Sequence, residues 1–91
     1  MKAIFDPKFY TKQGRLNRYA LACGYVERAE SDYSLETYRS VELSMSGSVI
    51  HVLTYERMGP RRKQFCTNNM KQARAVFAEQ CKALGVSRTR L

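Results

Sequence analysis

The chain contains no tryptophan, only two prolines and a single histidine, His51. A nucleophilic triad would have to be built around that one histidine. Cysteine is scarce and scattered: Cys23, Cys66 and Cys81 are odd in number and form no C-x-x-C pair. This excludes a disulfide framework and the local ligand pairs of a zinc site. The cysteines read as buried, inert thiols in a reducing, cytoplasmic compartment, and neither metal nor cofactor is expected. Long apolar runs are missing as well. The longest mostly apolar stretch, Tyr19 to Val26, is eight residues, far short of the ~20 needed to span a bilayer. Met1 to Pro7 lacks the apolar run of a signal peptide. A soluble chain with no membrane partner is therefore expected. Gly59-Pro60-Arg61-Arg62-Lys63 lacks the spacing of a phosphate-binding P-loop.

Acidic groups are few at both ends. Residues 1–18 carry a net charge of +4 and residues 57–91 carry +8, where Glu79 is the only acid; residues 19–56 carry −4. Basic ends and an acidic middle point to a polyanionic partner, and the acidic block gives a weaker hint of nucleic-acid mimicry. Hydrophobic content of 44% and charged content of 26% are ordinary for a globular chain. Ninety-one residues allow one domain with one modest core.

Periodicity places the elements. Met70, Ala73, Val76, Phe77, Cys81 and Leu84 recur at three- and four-residue spacing. They predict a helix from about Asn68 to Leu84, stopped at Gly85. Thr67, Asn68 and Asn69 are all competent N-caps. Upstream, Val41, Leu43 and Met45 alternate with Ser40, Glu42, Ser44 and Ser46, which predicts a half-buried strand. A turn at Ser46-Gly47-Ser48 returns the chain along Val49 to Arg57. Parity puts Val41, Leu43, Met45, Ile50 and Val52 on one face and Ser40, Glu42, Ser44, His51, Leu53, Tyr55 and Arg57 on the other. Met58-Gly59-Pro60 reads as a turn. A third strand, Arg62 to Thr67, then leads into the helix with Phe65 in the core. The expected fold class is α+β: a small antiparallel sheet of three to five strands, three of them over residues 38–67, with a C-terminal helix packed on its apolar face. Residues 1–37 are less determinate. Tyr19 to Val26 suits a strand or a short helix, and Tyr19, Tyr25 and Val26 favour the strand. Phe9-Tyr10-Thr11 and Leu16-Asn17-Arg18 form a possible hairpin around Gln13-Gly14. Asp32 to Thr37 reads as a loop, and residues 86–91 as a basic, flexible tail.

The chemistry points first to a non-enzymatic nucleic-acid-binding domain. Arg57, Arg61, Arg62 and Lys63 cluster at a β-turn, with Lys71 and Arg74 near the helix start; guanidinium groups and helix N-termini both suit phosphate oxygens. Phe9, Tyr10, Tyr19, Tyr25 and Tyr55 interleave with the charges and are candidate stacking surfaces. The alternative is a protein-binding module, of the kind phages and plasmids direct at host nucleases or defence complexes. His51, Leu53 and Tyr55 would be its contact face, and a free hairpin edge could add a strand to the partner. A third class, a small basic ribonuclease, would use His51, Tyr55, Arg57 and Arg61 as acid, base and phosphate ligands.

Three strands followed by a helix, with Phe65-Cys66-Thr67 leading into Ala73 and Phe77, resembles the arm-binding domains of phage integrases and the plant ethylene-response DNA-binding domains. That resemblance covers about residues 38–84 and implies DNA contact through the sheet face opposite the helix; Glu42 and Leu53 on that face depart from it. Met70-Lys71-Gln72-Ala73-Arg74 looks like the helix start of double-stranded-RNA-binding domains, with Met70 in place of the first lysine.

Overall fold

The alternation of apolar and polar residues from Ser40 to Val52 folds as the hairpin it predicts. In the computed structural model, which describes residues 6–88, the elements are α1 (Arg18–Ala22), β1 (Tyr25–Glu30), β2 (Arg39–Ser46), β3 (Val49–Glu56), β4 (Arg62–Thr67), α2 (Met70–Leu84) and β5 (Ser87–Arg88). The strands are antiparallel and lie in the order β4-β3-β2-β1-β5. The fold is thus α+β: four antiparallel strands, extended at one edge by the two residues of β5, with α2 packed against them.

The β2–β3 register pairs Leu43 with Val52, Met45 with Ile50 and Ser46 with Val49, so Gly47-Ser48 is the turn. Val41, Leu43, Ile50 and Val52 are buried beneath Ala73, Phe77 and Cys81, with Val26, Phe65, Met70, Val76 and Leu84 partly buried around them. Both periodicities therefore meet in one core: period two on the strands, period 3.6 on the helix. Met45 shares the apolar parity but stays 38% exposed at the hairpin end. Asn69 caps α2 by accepting from the Gln72 N–H. Gly85 closes it in the left-handed conformation, and Arg39 donates to the Leu84 carbonyl, one of those a helix end leaves unpaired.

The N-terminal half departs from expectation. Tyr19 to Ala22 is helical, and the strand begins only at Tyr25. Asn17 caps this short helix through the Ala20 N–H, and Gly24 ends it at φ +86°. Cap and stop outweigh the strand preference of Tyr19. A Cβ on Gly24 would lie 2.5 Å from the Met45 carbonyl oxygen, which fixes glycine there sterically as well as conformationally. The hairpin at Phe9 to Arg18 is reduced to a single Tyr10–Leu16 bridge, closed by Thr11 N–H to Arg15 and Asn17 N–H to Phe9.

The described start of the expected C-terminal tail is ordered. Val86 is buried in the core, and Ser87–Arg88 pair with Glu30 and Ala29. Of the expected tail, residues 89–91 lie outside the described residues, as do residues 1–5 of the leading segment.

The largest difference is a third layer. The segment from Asp6 to Gly24 lies over the sheet face opposite α2, where Phe9, Tyr10, Ala20 and Tyr25 form a second buried cluster with Leu16 against it. That polar face was expected to meet solvent or a partner. Ser40 and Glu42 on it are instead fully buried, and the face that the DNA-binding resemblance implies is largely covered. Expectation fails for two of the thiols too: Cys81 is buried, but Cys23 and Cys66 are exposed. Among the described residues no helix is long and apolar enough to cross a membrane.

Truncating the core tests the packing. Leu43→Ala and Phe77→Ala should each cost about 2–5 kcal/mol by chemical denaturation. Gly24→Ala should destabilise more than Gly47→Ala, because a Cβ at Gly47 meets nothing within 4 Å. Equal costs for the two glycine variants would contradict the close approach of Gly24 to β2.

Candidate functional site

The polar sheet face is organised around a carboxylate taken out of water. Glu42 on β2 has 0% exposure, and an unpaired charge there would be prohibitively costly. Two arginines compensate it. Arg28, its cross-strand neighbour on β1, donates from Nε to Oε2 at 3.1 Å. Arg61, just before β4, donates from Nε to Oε1 at 2.7 Å and from Nη2 to Oε2 at 3.0 Å, a bidentate fork.

Arg28 is itself 1% exposed and uses the rest of its guanidinium. Nη1 donates to Glu30 at 2.8 Å and to the Tyr10 hydroxyl at 3.3 Å, and Nη2 to the Tyr38 hydroxyl at 3.4 Å. Its plane lies 4.2 Å from the Phe9 ring centroid. Glu30 accepts in addition from the Tyr38 hydroxyl at 3.2 Å and from the Asp6 N–H at 2.8 Å. The network therefore ties the N-terminal segment to β1 and β2.

The environment shifts the titrations accordingly. Burial, followed by the charge of Glu42, pushes the Tyr25 hydroxyl up to about 12. Burial also raises Tyr38, against the opposing hydrogen bond from Arg28. Burial alone would lower Arg28, but the charge of Glu42 and the neighbouring tyrosines hold it above its ordinary value. Arg61 is likewise raised, its desolvation outweighed by the hydrogen bonds and charge of Glu42.

Beside this network opens a cleft of about 550 Å³, lined by Asp6, Pro7, Lys8 and Phe9 of the N-terminal segment and by Tyr33, Tyr38, Tyr55, Arg57 and Arg61. Tyr38 meets Tyr33 edge-on at 5.0 Å and Tyr55 at 6.2 Å between centroids. Arg57 lies 4.8 Å over Tyr33 and 5.2 Å over Tyr38, and Arg61 lies 4.7 Å over Tyr55. Arg57 Nη2 donates to the Tyr33 carbonyl, while its Nε is buried with no hydrogen-bond partner.

The residues proposed from sequence are thus divided. Arg57 and Arg61 were expected on a solvated turn; they are drawn into the cleft because Glu42 and the tyrosine rings offer them more than water does. Arg62 and Lys63 are exposed on β4, but they pair with Thr54 and Leu53, on opposite faces of the sheet. Lys71 and Arg74 do not extend the cluster. From Arg62 to Thr67 β4 carries the chain ~17 Å before α2 begins, so the helix start lies at the far end of the sheet. Arg74 is also bonded to Glu27 at 2.9 Å.

His51, Leu53 and Tyr55 do share a face but are each half-buried. Only Tyr55 reaches the cleft. His51 sits four residues, ~13 Å, along β3 from it, between Ser44 and Cys66, with Nδ1 buried and unpartnered. The ribonuclease constellation is therefore not assembled around the cations. The expected stacking aromatics are mostly consumed too: Phe9, Tyr10 and Tyr25 are buried and only Tyr19, at 48%, is well exposed. Among the described residues, no three His, Cys, Asp or Glu side chains are grouped to hold a metal.

Sequence reasoning missed Asp6, Lys8, Arg28, Glu30, Tyr33 and Tyr38. One signal was available: Arg28 and Glu30 flank Ala29 at the parity that sets them beside Glu42 and Ser40 once Tyr25–Glu30 is a strand. In comparisons with known proteins, no family model, no curated protein and no solved structure matches this chain.

Two measurements test the network. Arg28→Leu should cost on the order of 3–5 kcal/mol in denaturant, since it leaves buried Glu30 without a cation and Glu42 with Arg61 alone; Arg61→Ala should cost less, because Glu42 keeps Arg28 and Glu30 is untouched. Tyr25 adds a pH dependence. The folded chain holds its proton to about 12, whereas an unfolded tyrosine releases it near 10. Stability from this group is complete below pH ~10 and is lost as pH rises towards about 12. Thermal melts across that window should fall more steeply for the wild type than for Tyr25→Phe.

Proposed function

We propose that this chain is a small, non-enzymatic nucleic-acid-binding module, and that its binding surface is the tyrosine-lined cleft rather than the β-turn and helix start. The observation that carries this reading is the meeting of Lys8, Arg57 and Arg61 with three tyrosines in one recess. Cations supply phosphate affinity without reading sequence, and flat aromatic and guanidinium surfaces suit bases. The net charge of +8 favours a polyanion at longer range. Exposed Arg62 and Lys63 would add further phosphate contacts. The exposed thiols of Cys23 and Cys66 fit a reducing, cytoplasmic setting.

One observation keeps the protein-partner reading in second place. β4 is an outer strand of the sheet with an open edge, where a partner strand could add. Arg62, Lys63 and the bulge opposite Leu53 guard that edge, as charges and bulges do against unwanted pairing.

A salt titration of binding to one labelled single strand and one duplex tests the proposal. Replacing Lys8 and Arg57 together by alanine should lower the slope of log affinity against log salt by about 1.4 on the single strand, at about 0.7 per phosphate. His51→Ala should leave affinity within a few-fold. An unchanged slope would remove the cleft from the interface. No binding by the wild type at about 50 mM salt, where phosphate contacts are strong, would reject the nucleic-acid reading in favour of the β4 edge.

A further inference from the structure

The shape of the cleft says more about the ligand than charge alone. It is a half-open cleft, and about 550 Å³ is within the range of small-molecule sites. A duplex presents phosphates along a convex backbone and keeps its bases stacked inside, so its bases cannot enter such a recess. An unpaired nucleotide can be splayed into one.

The walls are fixed before any ligand arrives. Tyr38 is held by Arg28 and Glu30. Arg61 is held by both oxygens of Glu42 with its plane over Tyr55. Arg57 rests on Tyr33 and Tyr38. Such preorganisation lowers the ordering cost of binding.

Donors remain after these internal bonds. Arg61 spends Nε and Nη2 on Glu42, and its Nη1 has no partner among the described residues. Arg57 spends only Nη2, on the Tyr33 carbonyl, and its buried Nε is an unsatisfied donor beside the recess. A buried donor without an acceptor is a standing cost that an anionic ligand would relieve, given a small rotation of the side chain. Lys8 also lines the cleft, its ammonium lying 5.7 Å over Phe9 and 5.3 Å over Tyr19, and Asp6 is the single acid among the lining residues.

Resting on the nucleic-acid reading above, we infer that the cleft takes one unpaired nucleotide, its phosphate held by Arg57, Arg61 and Lys8 and its base laid against the Arg–Tyr stacks. The chain then recognises single strands, ends or flipped bases, and duplexes bind only through peripheral charge. The Asp6 carboxylate on the cleft wall suits an exocyclic amine of the base.

Adenosine 5′-monophosphate, adenosine and inorganic phosphate, titrated separately into the isotope-labelled chain, test this by magnetic resonance. The monophosphate should move the Arg57 and Arg61 Nε–H signals and the Tyr33 and Tyr55 ring signals. It should do so at concentrations about tenfold below either fragment, the gain expected from adding one stacked base to a phosphate contact. Arg57→Lys, which keeps the charge and loses the plane, should abolish that advantage; Lys8→Gln, on an exposed side chain, should weaken all phosphate-bearing ligands and guards against misfolding of the first variant.

Inorganic phosphate acting as well as the monophosphate would overturn the inference, because the base would contribute nothing. A poly-glutamate peptide moving the same signals while the monophosphate does not would overturn it in favour of an acidic protein ligand. If oligonucleotides bind but the monophosphate leaves the cleft signals still, the inference fails and the nucleic-acid reading stands. If the monophosphate moves them and no oligonucleotide binds, the nucleotide site stands and the nucleic-acid reading fails.

Discussion

Glu42 is the constraint from which the rest of this structure follows. A carboxylate in the middle of a sheet, with no exposure to solvent, is tolerable only if its charge is matched and its oxygens are bonded. Arg28 supplies one match and Arg61 the other. Satisfying Arg28 then requires Glu30, Tyr10 and Tyr38, and satisfying Glu30 brings in the backbone of Asp6. Each link recruits a different stretch of chain: the N-terminal segment, β1, β2, the turn after Asp32, and the loop before β4. A wholly apolar face could have buried as much surface at less electrostatic risk. The ionic arrangement instead fixes Arg61 and Tyr38 at one edge of the network, where the cleft begins.

The helix-side core was legible in the sequence because its signal is periodic. Val41, Leu43, Ile50 and Val52 alternate, Ala73, Phe77 and Cys81 recur by fours, and a stripe and a face of that kind have one sensible way to meet. The opposite face was not legible. Alternation says that Ser40, Glu42 and Ser44 share a side; it does not distinguish a polar face in water from one buried under ion pairs. That distinction lives in Arg28 and Glu30, whose strand was obscured by a start site read six residues too early. Asn17 and Gly24 marked the true boundary, as cap and stop of α1, but Tyr19 before the stop and Tyr25 and Val26 after it argued for one continuous strand.

The same limit explains the site. Arg57, Arg61, Arg62 and Lys63 look like one cluster because they are close in sequence. Folding sorts them by what each can bond. Arg61 finds a buried carboxylate, Arg57 finds two tyrosine faces and a carbonyl, and Arg62 and Lys63 are left on opposite sides of an edge strand. Lys8, nearly fifty residues away, replaces them as a neighbour because the N-terminal segment crosses that face. Sequence proximity was a poor guide to charge proximity where a long-range ion pair competes for the guanidinium.

Burial also changes what the net charge means. The two arginines and two glutamates of the network cancel one another. Of sixteen basic and eight acidic side chains, fourteen and six remain, and these carry the whole net +8. The acidic middle of the sequence is therefore not an acidic surface in its entirety: Glu30 and Glu42 are buried, and Glu27 is paired with Arg74. Mimicry of a nucleic acid loses its footing on that account. A polyanion approaching the molecule meets a field more positive around the middle strands than the linear charge pattern implies, and the cleft, where Lys8 and Arg57 stand outside the neutralised network against Asp6, lies on that face. Field and recess thus draw on the same internal neutralisation. Removing Arg28 would damage both at once, by leaving Glu42 to compete with any ligand for Arg61.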